Sequence, residues 1–365
     1  MIKILYDHQA FSLQRYGGIS RYFGNLYHFL NDSHEINISI SALTSKNHYI
    51  KEYSFPLSNN ISKVLFKKDR KIYKWNKKYS KYIISKSEYD ILHPTYYDPY
   101  FLANNKKPFV ITVHDMIHEI MPEFFQPNNT DSENKKKIIH QADKIIAISE
   151  STKNDILNLY NIDSDKIHVI HHGYYDVSDI SAHNVSINNN PPFLLYVGDR
   201  NTYKNFYRFL QSVTPILQKN KDLQLICAGG MPFQSAELQA IMRTGASNRI
   251  FQKNVTNLEL KILYKKASLF IFPSLYEGFG FPLIESFANN CAVVCSNTSS
   301  FKEIAGNAAI YFNPFEIEDI TNCIEMVLED SNCRDRLIKN GEEQIKKFTI
   351  EKCASLTKET YQSML

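Results

Sequence analysis

Short apolar runs recur along the chain, separated by stretches in which apolar residues return every three or four positions. The first pattern predicts strands and the second amphipathic helices. In the first half the runs fall at 2–6, 37–43, 90–93, 108–113, 144–148 and 167–171, and helices are predicted at 20–31, 63–86, 132–141 and 150–160. A second set of runs lies at 193–197, 223–228, 249–252, 268–272, 292–296 and 308–312, with helices predicted at 204–219, 234–243, 257–266, 282–290 and 300–305. One long helix of mixed character, roughly 335–362, is predicted at the end. Strands alternating with helices imply an α/β chain with parallel sheets covered on both faces.

The alternation stops between the two sets. Residues 176–192 are polar and Asn/Ser-rich and end in two prolines, which predicts a linker. The expected organisation is a first domain at 1–175, a second at 193–345, and a terminal helix at 346–365. Ligands of doubly wound sheets bind beyond the carboxyl ends of the strands, so a cleft between two such domains is the expected site.

A length of 365 residues suits two domains. No apolar run approaches the ~20 residues of a membrane-spanning helix. The start, MIKILYDHQAF, reads as a strand, since it lacks the basic head and long apolar core of a signal peptide. Six scattered cysteines without metal-binding spacing read as reduced thiols, which predicts a cytoplasmic protein and no metal site. A net charge of +4 is too small to argue for nucleic acid.

The densest chemistry lies in residues 268–290, SLFIFPSLYEGFGFPLIESFANN. A strand pattern gives way to a loop bearing Gly278 and Gly280, then to a helix with Leu283, Ile284, Phe287 and Ala288 on its buried face. The expected first helical residue is Pro282, whose missing N–H costs nothing there. A helix start carries unpaired N–H groups and partial positive charge, which suits a phosphate. Glu277 and Glu285 bracket the loop with seven residues between them. A glutamate on the helix can accept both hydroxyls of a ribose, and one at the strand end can hold hydroxyls of a second sugar. A solvated helix acid plus a loop acid is the other reading of that spacing.

Three further strings follow strands. Tyr16-Gly17-Gly18-Ile19-Ser20-Arg21 opens the first long helix, and paired glycines let backbone approach a ligand. It is not the dinucleotide-binding glycine pattern, and an ordinary turn is its alternative. In Tyr196-Val197-Gly198-Asp199-Arg200-Asn201-Thr202-Tyr203-Lys204-Asn205, the cations Arg200 and Lys204 stand four apart around a helix start. Two fixed cations can neutralise a diphosphate leaving group without a metal; a solvated charge pair is the alternative. Thr112-Val113-His114-Asp115 ends a strand, where His114 is either a structural hydrogen-bonder or a group facing ligand.

The string from Glu277 to Glu285 resembles the E-x7-E signature of the retaining family-4 glycosyltransferases. Gly17-Gly18 resembles that family's first glycine loop, Gly198 to Asn205 its Gly-x-Arg…Lys-Asn motif, and Val113-His114-Asp115 its "VHD" position. The resemblance spans nearly the whole chain, is densest from Tyr196 to Gly306, and points to mannosyltransferase-like enzymes of bacterial surface polysaccharide synthesis such as O-antigen. It implies a GT-B fold: two doubly wound, Rossmann-like domains facing across a cleft, with the terminal helix returning to the first.

The implied reaction moves a sugar from a nucleotide diphosphate sugar, leaning to a GDP-linked mannose-like donor, to a saccharide or polyprenyl-linked saccharide hydroxyl. The anomeric configuration is kept, by front-face departure and without a cofactor. By that resemblance Arg200 and Lys204 hold the diphosphate, Glu285 the ribose, and Glu277 with the amides of Gly278, Phe279, Gly280 and Phe281 the donor sugar. Gly17 and Gly18 close over the phosphates, and His114 meets the sugar near its reacting carbon. Gly198, Ser274, Asn254, Val255 and Leu283 complete the donor site, and Arg21 and Asp115 are the acceptor-side candidates, Asp115 alternatively orienting the imidazole. Rival readings are a GT-B nucleotide-sugar 2-epimerase and a non-catalytic sugar-nucleotide-binding protein, the latter disfavoured because both cations and both glutamates are present.

Three motifs read as structural. His171-His172-Gly173 lacks a third metal ligand and suggests a hinge. Asp163-Ser164-Asp165 reads as a turn and cap. Ser299, Ser300 and Glu303 form a capping-type pattern. Residues 63–86 carry ten Lys/Arg against one acid, Asp69, with Tyr73, Trp75, Tyr79 and Tyr82 interleaved. No nucleic-acid module is recognisable there. A solvated helix face and a peripheral contact with an anionic membrane, at the inner face of the cell membrane, are the open readings.

Overall fold

The computed structural model describes residues 1–31, 35–57, 69–126, 130–175, 191–200 and 202–365. Most of the predicted linker (176–190), the first part of the basic segment (63–68) and Asn201 lie outside the described residues. The chain divides into two compact units, Met1–Tyr175 with Thr349–Leu365, and Asp176–Phe348.

The first unit contains β1 (Ile2–Tyr6), α1 (Gln9–Leu13), α2 (Gly18–Asn31), β2 (Ile36–Ile40), α3 (Asp69–Lys86), β3 (Ile91–His93), β4 (Val110–Val113), α4 (Ile117–Ile120), α5 (Asp131–Gln141), β5 (Lys144–Ala147), α6 (Glu150–Leu159) and β6 (Ile167–Val169). Its strands pair in parallel as β2-β1-β3 and β4-β5-β6. A bridge between Leu92 and Phe109 links the two ribbons, with the Leu92 amide donating to the Pro108 carbonyl at 3.0 Å. The strands are apolar on both faces because helices cover both. Ile4, Ile91, Val110 and Ile146 are fully buried.

The second unit contains β7 (Phe193–Val197), α7 (Phe206–Lys219), β8 (Gln224–Ala228), α8 (Ser235–Arg243), β9 (Ile250–Lys253), α9 (Asn257–Lys266), β10 (Leu269–Phe272), α10 (Phe281–Ala288), β11 (Val293–Ser296), α11 (Phe301–Ala305), β12 (Ala309–Phe312), α12 (Ile317–Glu329) and α13 (Ser331–Ile345). Its six strands are all parallel in the order β12-β11-β10-β7-β8-β9. The order reverses between β7 and β10, which places a crevice beyond their carboxyl ends.

The chain's end differs from the expected single helix over 335–362. Two helices stand there, α13 and α14 (Ile350–Gln362), and α12 precedes them. Each break has a local cause. Asp330 accepts the Asn332 and Cys333 amides at the start of α13, and Thr349 Oγ1 accepts the Lys352 amide at the start of α14, so side-chain caps define the boundaries. Helix α14 packs on α2 inside the first unit, burying Ile350, Cys353, Ala354 and Tyr361 in the core that holds Tyr6 and Phe23. Among the described residues no helix is long and apolar enough to cross a membrane.

Candidate active site

The second unit gathers its chemistry at the ends of β7 and β10. Gly198 leaves β7 with φ +119, a conformation side chains rarely adopt, and a Cβ there would project into open space. The chain turns through Thr202–Lys204 and enters α7 past Asn205, itself left-handed at φ 59. Asn205 is buried and donates through Nδ2 to the Pro314 carbonyl at 2.7 Å, which fixes the helix start. The two loops are joined twice. The Leu275 amide donates to the Tyr203 carbonyl at 2.8 Å, and Lys204 Nζ donates to Glu277 Oε1 at 2.5 Å. Burial alone would lower the Lys204 pKa, but Glu277, Tyr203 and Asp199 together outweigh it and the net shift is upward. Lys204 is therefore a firmly held cation at neutral pH.

Glu277 is held from behind. Its amide donates to Ser299 Oγ at 3.0 Å, and Ser300 Oγ donates to the carbonyls of Glu277 at 2.9 Å and Phe279 at 3.0 Å. Gly280 caps α10 at φ 96, and the helix begins at Phe281, so Pro282 is its second residue rather than its first. Either position leaves the absent N–H without consequence. Leu283, Ile284, Ser286 and Phe287 face inward. Glu285 lies on the partly exposed side, where Tyr264 OH reaches its Oε2 at 3.5 Å. Ser274 Oγ is buried and has no hydrogen-bond partner among the described residues.

In the first unit His114 follows β4. Its amide donates to Tyr97 OH at 3.0 Å, and its ring stacks on His172 with centroids 5.8 Å apart and meets Tyr22 edge-on. Nε2 is buried without a hydrogen-bond partner among the described residues. Burial, reinforced by Lys135 and opposed by Asp115, lowers its pKa to about 4. The imidazole is neutral at physiological pH, able to donate or accept one hydrogen bond but not to supply a charge. Gly17 and Gly18 sit where α2 begins, on the segment that follows β1, and Arg21 lies in the first turn.

Two family models match these units in turn: Glycosyltransferase Family 4 over residues 16–175 and Glycosyl transferases group 1 over 178–344. The chain belongs to the family-4 glycosyltransferases. This glycosyltransferase is 25% identical over 289 residues, 73% of either chain, to O-antigen chain mannosyltransferase B of Escherichia coli. To the O-antigen chain mannosyltransferase RfbU of Salmonella typhimurium it is 30% identical over 205 residues, 56% of either chain. Among solved structures, HepE from Anabaena in complex with UDP-glucose superposes over all of both chains with TM-score 0.75 at 16% identity. Sucrose-phosphate synthase from Thermosynechococcus elongatus does so over 100% of this chain and 99% of its own, with TM-score 0.74 at 18% identity. Such likeness shows the fold, which is GT-B.

Within the transferase, Lys204, Glu277, Gly198, Ser274, Gly278, Phe279, Gly280, Phe281, Leu283 and Glu285 lie on the two loops, or the helix they lead into, at the strand-order reversal. Asn254 and Val255 follow β9, two strands away, where Asn254 Oδ1 accepts from Gln252. Arg200, expected to hold the diphosphate with Lys204, is engaged by protein groups in this structure. Its Nε donates to Glu237 Oε1 at 2.7 Å, its terminal nitrogens donate to the carbonyls of Gly229 and Met231, and its side chain is 4% exposed. It stacks on Phe233 at 4.8 Å. A guanidinium so occupied clamps the loop after β8, and Lys204 is the cation nearer the β10 loop. Asp115 does not orient the His114 imidazole through a hydrogen bond. Its Oδ1 accepts the Ile117 amide at 3.2 Å, a local turn that stabilises α4.

The hinge expected at His171-His172-Gly173 is instead packed. His172 is buried against His114 and Tyr22, and a Cβ on Gly173 would lie 2.4 Å from Ile350 Cα. Asp163 Oδ1 accepts the Asp165 amide at 3.0 Å, as a turn. Ser300 makes no side-chain cap to α11; with Ser299 it steadies the Glu277 loop. That role was hidden in the sequence because the partners are 21–23 residues apart and only strand pairing brings them together. His93 was missed as well. It is fully buried, Nδ1 shares a hydrogen bond with Tyr361 OH at 2.7 Å, and Nε2 one with Thr112 Oγ1 at 2.9 Å.

Proposed function

We propose that the chain transfers a mannose-like sugar from a GDP-linked donor to a hydroxyl of a saccharide or lipid-linked saccharide in surface polysaccharide assembly, with retention and without a metal. The observation that carries the reading is the Lys204–Glu277 pair set beside the start of α10 at the point where the strand order reverses. A diphosphate laid against the start of α10 gains from the helix dipole, and Lys204 supplies the fixed charge that stabilises it as it leaves. Glu285, half a turn to a turn further on, suits the ribose diol. Glu277, freed from Lys204 by the arriving phosphates, suits hydroxyls of the donor sugar.

Arg200 supports this site by holding the neighbouring loop. His114 offers a neutral, unspent Nε2 to a sugar hydroxyl. The mannosyl donor is supported by the names of the two O-antigen relatives, and the nucleotide diphosphate by the ligand in the HepE complex.

The test is transfer from GDP-mannose, with UDP-glucose and UDP-N-acetylglucosamine as controls, followed by diphosphate release and by the anomeric proton signals of the product. Lys204→Ala is expected to slow turnover about 100-fold, ~3 kcal/mol of barrier, the magnitude of losing one oxyanion donor. Undiminished turnover in that variant would remove Lys204 from the mechanism. An inverted anomer would refute retention, and free epimerised nucleotide sugar formed without acceptor would assign the epimerase instead.

A further inference from the structure

Helix α3 has two faces of opposite character. Its inward stripe is Ile72, Asn76, Ser80 and Ile84, each four residues from the last and all buried. Two of the four are polar and fully engaged. Asn76 Oδ1 accepts the Leu43 amide at 2.9 Å, and its Nδ2 donates to Ser12 Oγ at 2.9 Å and the Thr44 carbonyl at 2.8 Å. Ser80 Oγ meets Ser41 Oγ at 2.6 Å and Tyr100 OH at 2.7 Å. At the edge of the stripe Tyr73 OH donates to Asp98 Oδ2 at 2.9 Å, and Lys77 Nζ lies 2.5 Å from the same oxygen. Lys77 is thus turned inward, and the helix's one acid, Asp69, is neutralised by Lys46 at 2.8 Å.

The outward face is left with Arg70, Lys71, Lys74, Lys78, Lys81 and Lys86, all exposed. Trp75 and Tyr82, 49% and 56% exposed, stand among them. At 3.6 residues per turn these two aromatics lie about 20° apart around the axis, so they share one line along the helix. Lys78 Nζ is 5.1 Å from the Trp75 ring and Lys86 Nζ 4.7 Å from the Tyr82 ring. Two large aromatic rings in a field of exposed lysines match the headgroup layer of an anionic bilayer, where amphipathic rings settle and basic side chains meet lipid phosphates.

We infer that this outer face docks on an anionic lipid bilayer. The inference rests on the proposed reading in one respect: a lipid-linked acceptor gives the enzyme reason to work there. The mooring makes the placement useful. Every polar tie on the inner face runs to the segments that follow β1, β2 or β3, the carboxyl ends of the first unit's sheet. The surface that meets lipid is therefore about one helix diameter, ~10 Å, from the loops where an acceptor would be received.

Trp75 is the chain's single tryptophan, so tryptophan emission, excited selectively over the tyrosines, reports on this face alone. The experiment adds vesicles of phosphatidylcholine, with or without 30 mol% phosphatidylglycerol, to the full chain at 0.1 M salt. The expected result is at least tenfold more protein recovered with the anionic vesicles, a blue shift of Trp75 emission on binding, and loss of both at 0.5 M salt, where charges are screened within a few ångströms. Lys71→Glu/Lys74→Glu/Lys78→Glu/Lys81→Glu should abolish recovery while keeping the wild-type melting temperature. If that variant does not fold, the milder Lys74→Gln/Lys78→Gln should reduce recovery at least threefold.

Equal recovery on both vesicle types, binding without a change in Trp75 emission, or a folded charge-reversed variant that still binds would overturn the inference, as would tighter retention by a single-stranded polynucleotide than by vesicles. None of these readouts depends on turnover, so failure here leaves the transferase reading standing, and failure of transfer with every donor leaves this one.

Discussion

The two units use nearly the same scaffold and bury opposite chemistry in it. Both build six parallel strands, and in both the strand order reverses beside the first strand, β1 next to β3 and β7 next to β10. All twelve histidines of the chain fall between residues 8 and 183, so no described residue of the second unit is a histidine. Five of the six cysteines, all free and buried, lie in the second unit. In the first unit the carboxyl ends of the strands are packed with rings: His93 joins Tyr361 and Thr112, His114 stacks on His172, and His8 sits edge-on to Tyr73. In the second unit the equivalent ends carry two ion pairs, Lys204–Glu277 and Arg200–Glu237, over an apolar core that includes Phe209, Leu225 and Ile271.

The contrast separates two ways of preparing a binding surface. A ring-filled end offers shape and single neutral hydrogen bonds, which suits a sugar. An end with fixed charge and helix amides suits a phosphate. It also predicts that the units respond to different insults.

Acid should have the largest effect and fall on the first unit. Burial lowers the pKa of His8 and His114 from 6.5 to about 4, that of His93 to about 3, and that of His172 well below its usual value. The unfolded chain binds protons near pH 6.5 that the folded unit refuses, so this stability is complete above pH 6.5 and is lost as pH falls toward 4. His8 and His114 each contribute on the order of 3 kcal/mol by linkage. Urea titrations at pH 7.5, 5.5 and 4.5, with Trp75 emission reporting the first unit, are expected to show its midpoint falling steeply across that window. A midpoint that stays level between pH 7.5 and 4.5 would contradict the burial of these rings.

Core truncation should have the next largest effect and fall on the second unit. Phe270 is fully buried in β10, with its ring edge-on to Tyr264. Phe270→Ala is expected to cost about 3–5 kcal/mol. In calorimetry the second unit's transition should drop in temperature, while Trp75 emission follows an unchanged melt of the first. Equal loss in both would mean that the units unfold as one and would blunt the comparison.

The smallest effect tests the chain's return. Thr349→Ala removes the cap of α14 and should cost ~1 kcal/mol, lowering the Trp75-detected transition by a few degrees. A fall in the second unit's transition alone would place that helix's stabilising role in the wrong unit.

Most strands and the loops that follow them were legible in the sequence. Runs such as Leu269–Phe272 are short, apolar and bounded by proline or glycine, and the helices between them keep a local period. The Glu277-to-Glu285 string could be read for the same reason, since strand, loop and helix are contiguous. The break within the terminal helix was missed although Thr349 is a recognisable cap, because the mixed apolar pattern runs on across it. The clamp on Arg200 was not legible: Glu237, 37 residues on, looks like any helix acid until α8 is set beside the β7 loop.

The sequence by itself determined the alternation of strands and helices, the two sets of them, and the glycines, cations and acids that follow particular strands. These depend on which neighbours along the chain share a face, a short-range property. The tertiary structure alone decided which cation is spent on a loop and which stands by the helix start, and which histidines are silenced by burial. Those outcomes depend on pairs such as Lys204 with Glu277, 73 residues apart, and His93 with Tyr361, 268 apart. Strand order brings such pairs together, and no local pattern in the chain encodes it.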